Sequence, residues 1–206
     1  MVTDDHAVVR KGLTQILSDT EDIRVVAEAS SAGEAVGVLR RQPCDVLLLD
    51  VSMPGRSGIE ALKAIREEFP QVRVLVLSMY PEDQFGVRAL RAGAAGYLTK
   101  EAPPERLIEA VQRIATGKRY ITPELAELLA ATVDTKGDAP PHQLLSNREF
   151  QVLRLIASGK TLSDMAASLA LSPKTVSVYR ARLLEKMKLA NNAELTHYAI
   201  KNGLVD

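Results

Sequence analysis

Four polar features in the first half of the chain stand at the ends of short apolar runs. Asp4 and Asp5 follow Met1-Val2-Thr3, and Asp50 closes Val46-Leu47-Leu48-Leu49 just ahead of Met53-Pro54-Gly55. Ser78 follows Val74-Leu75-Val76-Leu77, and Lys100 comes after Ala95-Gly96-Tyr97-Leu98. Apolar runs of this kind suit strands buried on both faces of a parallel sheet, and such sheets open to ligands at their carboxyl ends. Gathered there, these side chains make an acidic pocket with one hydroxyl and one ammonium. Mg²⁺ is a hard ion that wants oxygen ligands in octahedral array. Asp4, Asp5, Asp50 and a backbone carbonyl near Ser52 could supply them. With metal charge beside it, the Asp50 carboxylate could attack a phosphoryl group as a nucleophile. Lys100 would then pair with one phosphoryl oxygen and the Ser78 hydroxyl would donate to another. That is the chemistry of a switch more than of a catalyst with an organic substrate.

The elements needed to position these residues are legible around them. Strand patterns cover residues 23–29, 45–49, 73–77 and 96–98, with a stub at Val2-Thr3. Amphipathic helical patterns lie between them, at 7–18, 32–41, 58–68, 83–92 and 104–116. In the last, Leu107, Val111 and Ile114 recur at helical spacing behind Pro103-Pro104, which suits a helix start. Strands alternating with helices predict right-handed crossovers and a doubly wound α/β parallel sheet. Residues 122–131 fit one more short helix. The polar, Gly- and Pro-rich stretch 134–142 reads as a linker.

From Leu144 the strand signals vanish. Ser146 with Glu149 is a capping-box start, and Val152, Leu155 and Ile156 share a face until Gly159. Thr161 with Asp164 opens a second helix, through Leu169. Ser172 caps a third, with Pro173 in its first turn, running to about Lys188. Asn191 with Glu194 opens a fourth, ending at Gly203. The third helix turns Val176, Tyr179, Leu183 and Met187 toward a core and leaves Lys174, Ser177, Val178, Ala181 and Arg182 outward. In a major groove, small apolar groups can touch thymine methyls while Arg reads guanine. This segment carries nine Lys+Arg against five Asp+Glu, a net of +4 on a chain of zero net charge. A polyanion partner for that part alone follows.

Asp4-Asp5-His6, Leu48-Leu49-Asp50-Val-Ser-Met-Pro-Gly55, Val76-Leu77-Ser78 and Ala92-Gly-Ala-Ala-Gly-Tyr-Leu-Thr-Lys100 together resemble a two-component receiver domain. The resemblance implies a flavodoxin-like sheet of order 2-1-3-4-5 and phosphorylation of Asp50 by a sensor histidine kinase. It also implies Mg²⁺ bound directly by Asp5 and through water by Asp4, and a switch made of Ser78, Lys100 and an inward-turning Tyr97. Such domains have a first strand of five or six residues; here three residues precede the acidic pair, so the strand reads as truncated or stunted. Leu145-Ser-Asn-Arg-Glu149, Asp164-Met-Ala166, Leu169-Ala-Leu-Ser-Pro-Lys-Thr-Val176 and Glu194-Leu-Thr-His-Tyr-Ala199 resemble the LuxR-type helix-turn-helix of NarL/FixJ response regulators. By that likeness Ser177, Val178 and Ala181 face bases. Lys174 and Arg180 contact phosphates, and Thr175, Arg182 and Lys186 complete the DNA surface. The family often has lysines where Ser177 and Ala181 stand and a histidine where Tyr179 stands, so its base preference does not carry over. Its last helix pairs two domains on related half-sites, which would use Leu195, Tyr198 and Ala199; internal packing is the alternative.

The organisation expected is a receiver at 1–121, a linker at 122–143 and a helix-turn-helix domain at 144–206, in a regulator that binds promoter DNA as a homodimer. Several other readings compete. An aspartyl-phosphate phosphotransferase such as a phosphatase would want a carboxylate two residues after the nucleophile, where Ser52 stands. A small-molecule sensor would want an apolar pocket, which a chain with 4% aromatics and no Trp does not advertise. A regulator whose degenerate receiver works without phosphate is the remaining rival. No apolar stretch approaches the ~20 residues of a membrane span, no secretory signal is evident, and the expected location is cytoplasmic. The single cysteine, Cys44, excludes an internal disulfide and a CxxC metal site. His6, His142 and His197 look too scattered to bind a metal.

Overall fold

The computed structural model describes residues 1–53, 58–134 and 140–205; the turn expected at Pro54-Gly55 and linker residues 135–139 lie outside the described residues. The chain divides into two compact units, Met1–Ala131 and Thr132–Asp206. The division falls inside the stretch expected to be linker.

In the first unit, strands β1 (Val2–Thr3), β2 (Glu28–Ala29), β3 (Val46–Asp50), β4 (Arg73–Ser78) and β5 (Gly96–Thr99) form one sheet. Its order is β2-β1-β3-β4-β5 and every pairing is parallel. Helices α1 (Ala7–Ser18), α2 (Ala32–Leu39), α3 (Gly58–Glu68), α4 (Glu82–Arg91) and α5 (Pro104–Ala115) make the crossovers. Leu48, Leu75, Leu77 and Leu98 pack in a core with Leu107, Val111 and Ile114 of α5. The alternate residues Leu47, Leu49, Val74 and Val76, all buried, point to the other face by the twofold repeat of a strand. Both faces are therefore covered, as a parallel sheet requires.

The expected strand at 23–29 is paired only at Glu28–Ala29, opposite Val2 and Thr3 of β1. The Met1 nitrogen donates to the Val46 carbonyl at 2.9 Å. Beneath it Leu17, Ile23, Val25, Leu48 and Val111 help line a cavity of about 320 Å³.

Helix α6 (Pro123–Asp134) follows α5. In the second unit a 3₁₀ turn at Pro141–Leu144 precedes α7 (Asn147–Ala157), α8 (Leu162–Ser168), α9 (Pro173–Met187) and α10 (Asn192–Lys201). Ser146 and Thr161 each form a capping box with the acidic residue three positions on. Ser172 and Asn191 cap α9 and α10 with side-chain oxygens. These local bonds satisfy N–H groups that a helix start leaves unpaired. Among the described residues no helix is long and apolar enough to cross a membrane.

Candidate functional site

The carboxyl ends of β1, β3, β4 and β5 carry the polar side chains singled out by spacing. Asp4 and Asp50 are fully buried, and the Lys100 ammonium sits between them, 2.6 Å from Asp4 Oδ2 and 2.7 Å from Asp50 Oδ2. The other Asp50 oxygen accepts the Ser52 N–H at 2.7 Å. Asp4 Oδ1 accepts the His6 N–H at 2.8 Å, which ties the acidic pair to the start of α1. Gly58, the first residue of α3, lies so close to the Asp50 loop that a Cβ there would come within 2.3 Å of the Val51 backbone. Only glycine permits that approach.

Burial pushes the Asp50 carboxyl above its ordinary value, against the pull of Lys100. Burial pulls the Lys100 ammonium down, but its bonds to Asp4 and Asp50 outweigh this and hold it above the ordinary lysine value. Each group's charge thus depends on its partner. Ligand atoms of Asp4, Asp5, His6 and Asp50 all lie within 4.8 Å of one another. Three carboxylates face one ammonium, leaving an excess of two negative charges on mostly oxygen donors. That donor set fits a hard divalent cation.

Ser78, also fully buried, accepts the Tyr80 N–H at 3.0 Å. Tyr97 is buried and inward, its hydroxyl donating to the Tyr80 carbonyl at 2.6 Å. Burial raises the Tyr97 hydroxyl well above the usual range, so it stays protonated as a donor. Tyr80 therefore ties the hydroxyl of β4 to the aromatic of β5.

In the second unit, Lys174, Ser177, Val178, Ala181, Arg182 and Lys186 are exposed along α9, while Val176, Leu183 and Met187 are buried. Lys174, Thr175, Val178, Tyr179 and Arg182 line one shallow groove. The outward face of α9 is thus a basic strip with a small apolar centre.

Residues 1–112 match the response regulator receiver domain, and residues 143–199 match the bacterial regulatory proteins of the luxR family. The chain belongs to the response regulators. It is 38% identical to the response regulator UvrY of Escherichia coli strain K12, over 99% of this chain and 94% of UvrY. Its identity to the response regulator GacA of Pseudomonas aeruginosa is also 38%, over 100% of this chain and 97% of GacA. RcsB of Salmonella enterica serovar Typhimurium, solved on a promoter with the phosphomimetic BeF₃⁻, shares 28% identity. That alignment covers 96% of each chain with a TM-score of 0.65.

This response regulator differs from the expected site in several places. Leu195 and Ala199, read either as part of a pairing surface or as internal packing, are fully buried, and α10 packs on α7, so these two side chains follow the internal-packing alternative. Helical spacing identifies an apolar stripe but not which neighbour covers it. The large apolar side chain left outward on α10 is Ile200, 57% exposed. Tyr198, half-buried, bonds through its hydroxyl to His142 Nδ1 at 2.8 Å. Lys186 is engaged within the unit, its ammonium 2.7 Å from buried Glu149. Arg180 donates to the Asn192 side chain at 2.6 Å, so neither is an uncommitted phosphate ligand. His6, read with His142 and His197 as too scattered to make a metal site, stands in the acidic cluster; its place directly after Asp5 was the available signal. Tyr80 was missed, although it lies two residues beyond Ser78.

Proposed function

We propose that Asp50 is the phosphoryl acceptor from a sensor histidine kinase and that the modification controls how α9 engages double-stranded promoter DNA. The observation that carries this is the Lys100 ammonium held between buried Asp4 and Asp50, with Asp5 and Ser78 at the same sheet edge. Asp4, Asp5, Asp50 and the Ser52 carbonyl would hold Mg²⁺, which would offset the charge of the pocket and of the incoming phosphoryl group. In the transfer, an Asp50 oxygen forms a bond to phosphorus as the P–N bond of the donor phosphohistidine breaks, and the freed imidazole takes up a proton. Lys100 exchanges its Asp50 contact for a phosphoryl oxygen, as a point charge on a flexible stem can. The Ser78 hydroxyl turns its donor toward another. The added ~−1.5 to −2 charges bias the receiver surface near Ser78, Tyr97 and Lys100.

On the DNA side, Ser177, Val178 and Ala181 face base edges, with Lys174, Thr175 and Arg182 around them. Arg180 and Lys186 border this surface while bonded within the unit. Two copies bound to related half-sites would multiply affinity, with Ile200 and Tyr198 on the helix that would join them. Transcription control of this kind places the chain in the cytoplasm.

Incubation of the full chain with Mg²⁺ and acetyl phosphate, read by intact mass, tests the switch. One phosphoryl adduct should form on the wild type and none on Asp50→Asn. A wild-type chain that stays unmodified would leave the phosphate-independent reading standing. A random-site selection with modified and unmodified full chain then yields the operator and shows whether the adduct changes affinity.

A further inference from the structure

The segment after α5 is built onto the elements that carry the switch. Tyr120 donates its N–H to the Ala95 carbonyl at 2.9 Å and bridges to Gly96 of β5 in parallel register. A Cβ on Gly96 would stand 2.9 Å from the Tyr120 carbonyl oxygen, so the strand edge admits this chain only through glycine. Buried Thr122 then does two things. Its hydroxyl bonds to the Glu82 carboxylate in the first turn of α4, and it accepts the Leu125 N–H at 3.2 Å, capping α6. Leu125 is fully buried against α4, where a Cβ added to Gly86 would meet its methyl carbons at 2.7 and 3.1 Å.

The residue beside Gly86 leads back to the pocket. Phe85 is buried and stacks on Tyr80, ring centroids 4.5 Å apart and planes 16° from parallel. Tyr80 is also the residue whose N–H is held by Ser78 and whose carbonyl is held by Tyr97. Ser78, Tyr80, Phe85, Gly86 and Leu125 therefore form a continuous line of contacts from the sheet edge to α6.

We propose that α6 is a latch docked on α4, and that phosphorylation undocks it through the Tyr80–Phe85 stack. The trigger rests on the phosphoryl reading above; the dock does not. When Ser78 swings toward a phosphoryl oxygen it gives up the Tyr80 N–H. Tyr80 then reseats, the stack shifts, and the shelf under Leu125 moves with Phe85 and Gly86. Packing this close has no slack: a displacement of a fraction of an ångström forces a choice between two arrangements instead of a gradual adjustment. Released, α6 stops holding the stretch of chain that leads to the DNA-binding unit.

Hydrogen–deuterium exchange over residues 123–131 of the full-length protein tests this, with intact mass reporting the adduct in the same samples. Acetyl phosphate with Mg²⁺ should raise α6 exchange about tenfold or more, a change of about 1.4 kcal/mol in the opening equilibrium. Gly86→Ala, which inserts a methyl under Leu125, and Leu125→Ala, which empties the shelf, should each do so without phosphodonor. The proposal is overturned if the adduct forms while α6 exchange stays constant, or if both variants protect α6 as the wild type does. Absence of any adduct overturns the phosphoryl reading and removes the trigger, and the two variants then report on the dock alone.

Discussion

Replacing Lys100 with methionine removes the one ammonium that two fully buried carboxylates share and leaves a side chain of similar length. In the wild type its Nζ lies 2.6 Å from Asp4 and 2.7 Å from Asp50, and the lysine itself is only 9% exposed. Removing one partner of a buried ion pair costs about 3–5 kcal/mol, because the remaining charge is left without compensation. Here two like charges remain, with ligand oxygens no more than 4.8 Å apart. At an effective dielectric constant near 20, their repulsion adds roughly 3 kcal/mol. Part of this is relieved if Asp50, already raised in pKa by burial, takes up a proton. The expected loss in metal-free urea unfolding is therefore about 3–5 kcal/mol for the first unit. Two controls make the reasoning specific. In an Asp50→Asn background the same lysine change should cost at most about half as much, since a single carboxylate is left exposed to the loss. Millimolar Mg²⁺ should restore more stability to Lys100→Met than it adds to the wild type, because the variant pocket has one more unbalanced negative charge. A metal-free cost below ~1 kcal/mol, the value of an exposed pair, would refute the account. So would an equal cost in the Asp50→Asn background.

Five further outcomes follow from the second unit. Buried Glu149 gains bonds from Lys186 and Ser146 that outweigh the effect of burial, so its folded-state value lies below the ordinary 4.5. The unfolded chain then binds the proton first, and the stabilisation, complete above pH 4.5, is lost as pH falls through the folded value. Urea melts of the full chain between pH 6 and about 3 should show this slope in the second unit's transition, and Glu149→Gln should flatten it. Leu195→Ala should destabilise that unit by about 2–5 kcal/mol as a core truncation. Ile200→Ser should leave its melting unchanged while reducing paired binding on two half-sites, as measured by sedimentation with DNA. Arg182→Ala should weaken operator binding by about 1–3 kcal/mol, in a gel-shift titration at fixed salt. Lys186→Ala should act mainly on stability, by about 1 kcal/mol, since its ammonium is already half-exposed on Glu149.

Much of this protein is set by interactions within a few residues, and those parts were legible. Helices at 7–18 and 58–68 run as their apolar spacing indicates. The caps at Ser146, Thr161, Ser172 and Asn191 form where the sequence places them. A cap joins residues three apart and needs no partner from elsewhere. The positions of Asp4, Asp50, Ser78 and Lys100 at strand ends were equally readable, since a parallel sheet brings such ends to one edge. Pairings between distant segments decided the rest. The extent of β2 follows its pairing with β1 at Glu28 and Ala29, which the β propensity of 23–27 does not show. Whether Leu195 or Ile200 faces outward depends on where α7 lies across α10. Lys186 reads as a free basic residue until Glu149, 37 positions earlier, is seen beneath it. The docking of Leu125 on Gly86 has no local signature, because two helices meet there by the absence of a side chain. Local rules chose the elements and the chemistry; only packing in three dimensions decided which of those side chains remain available for function.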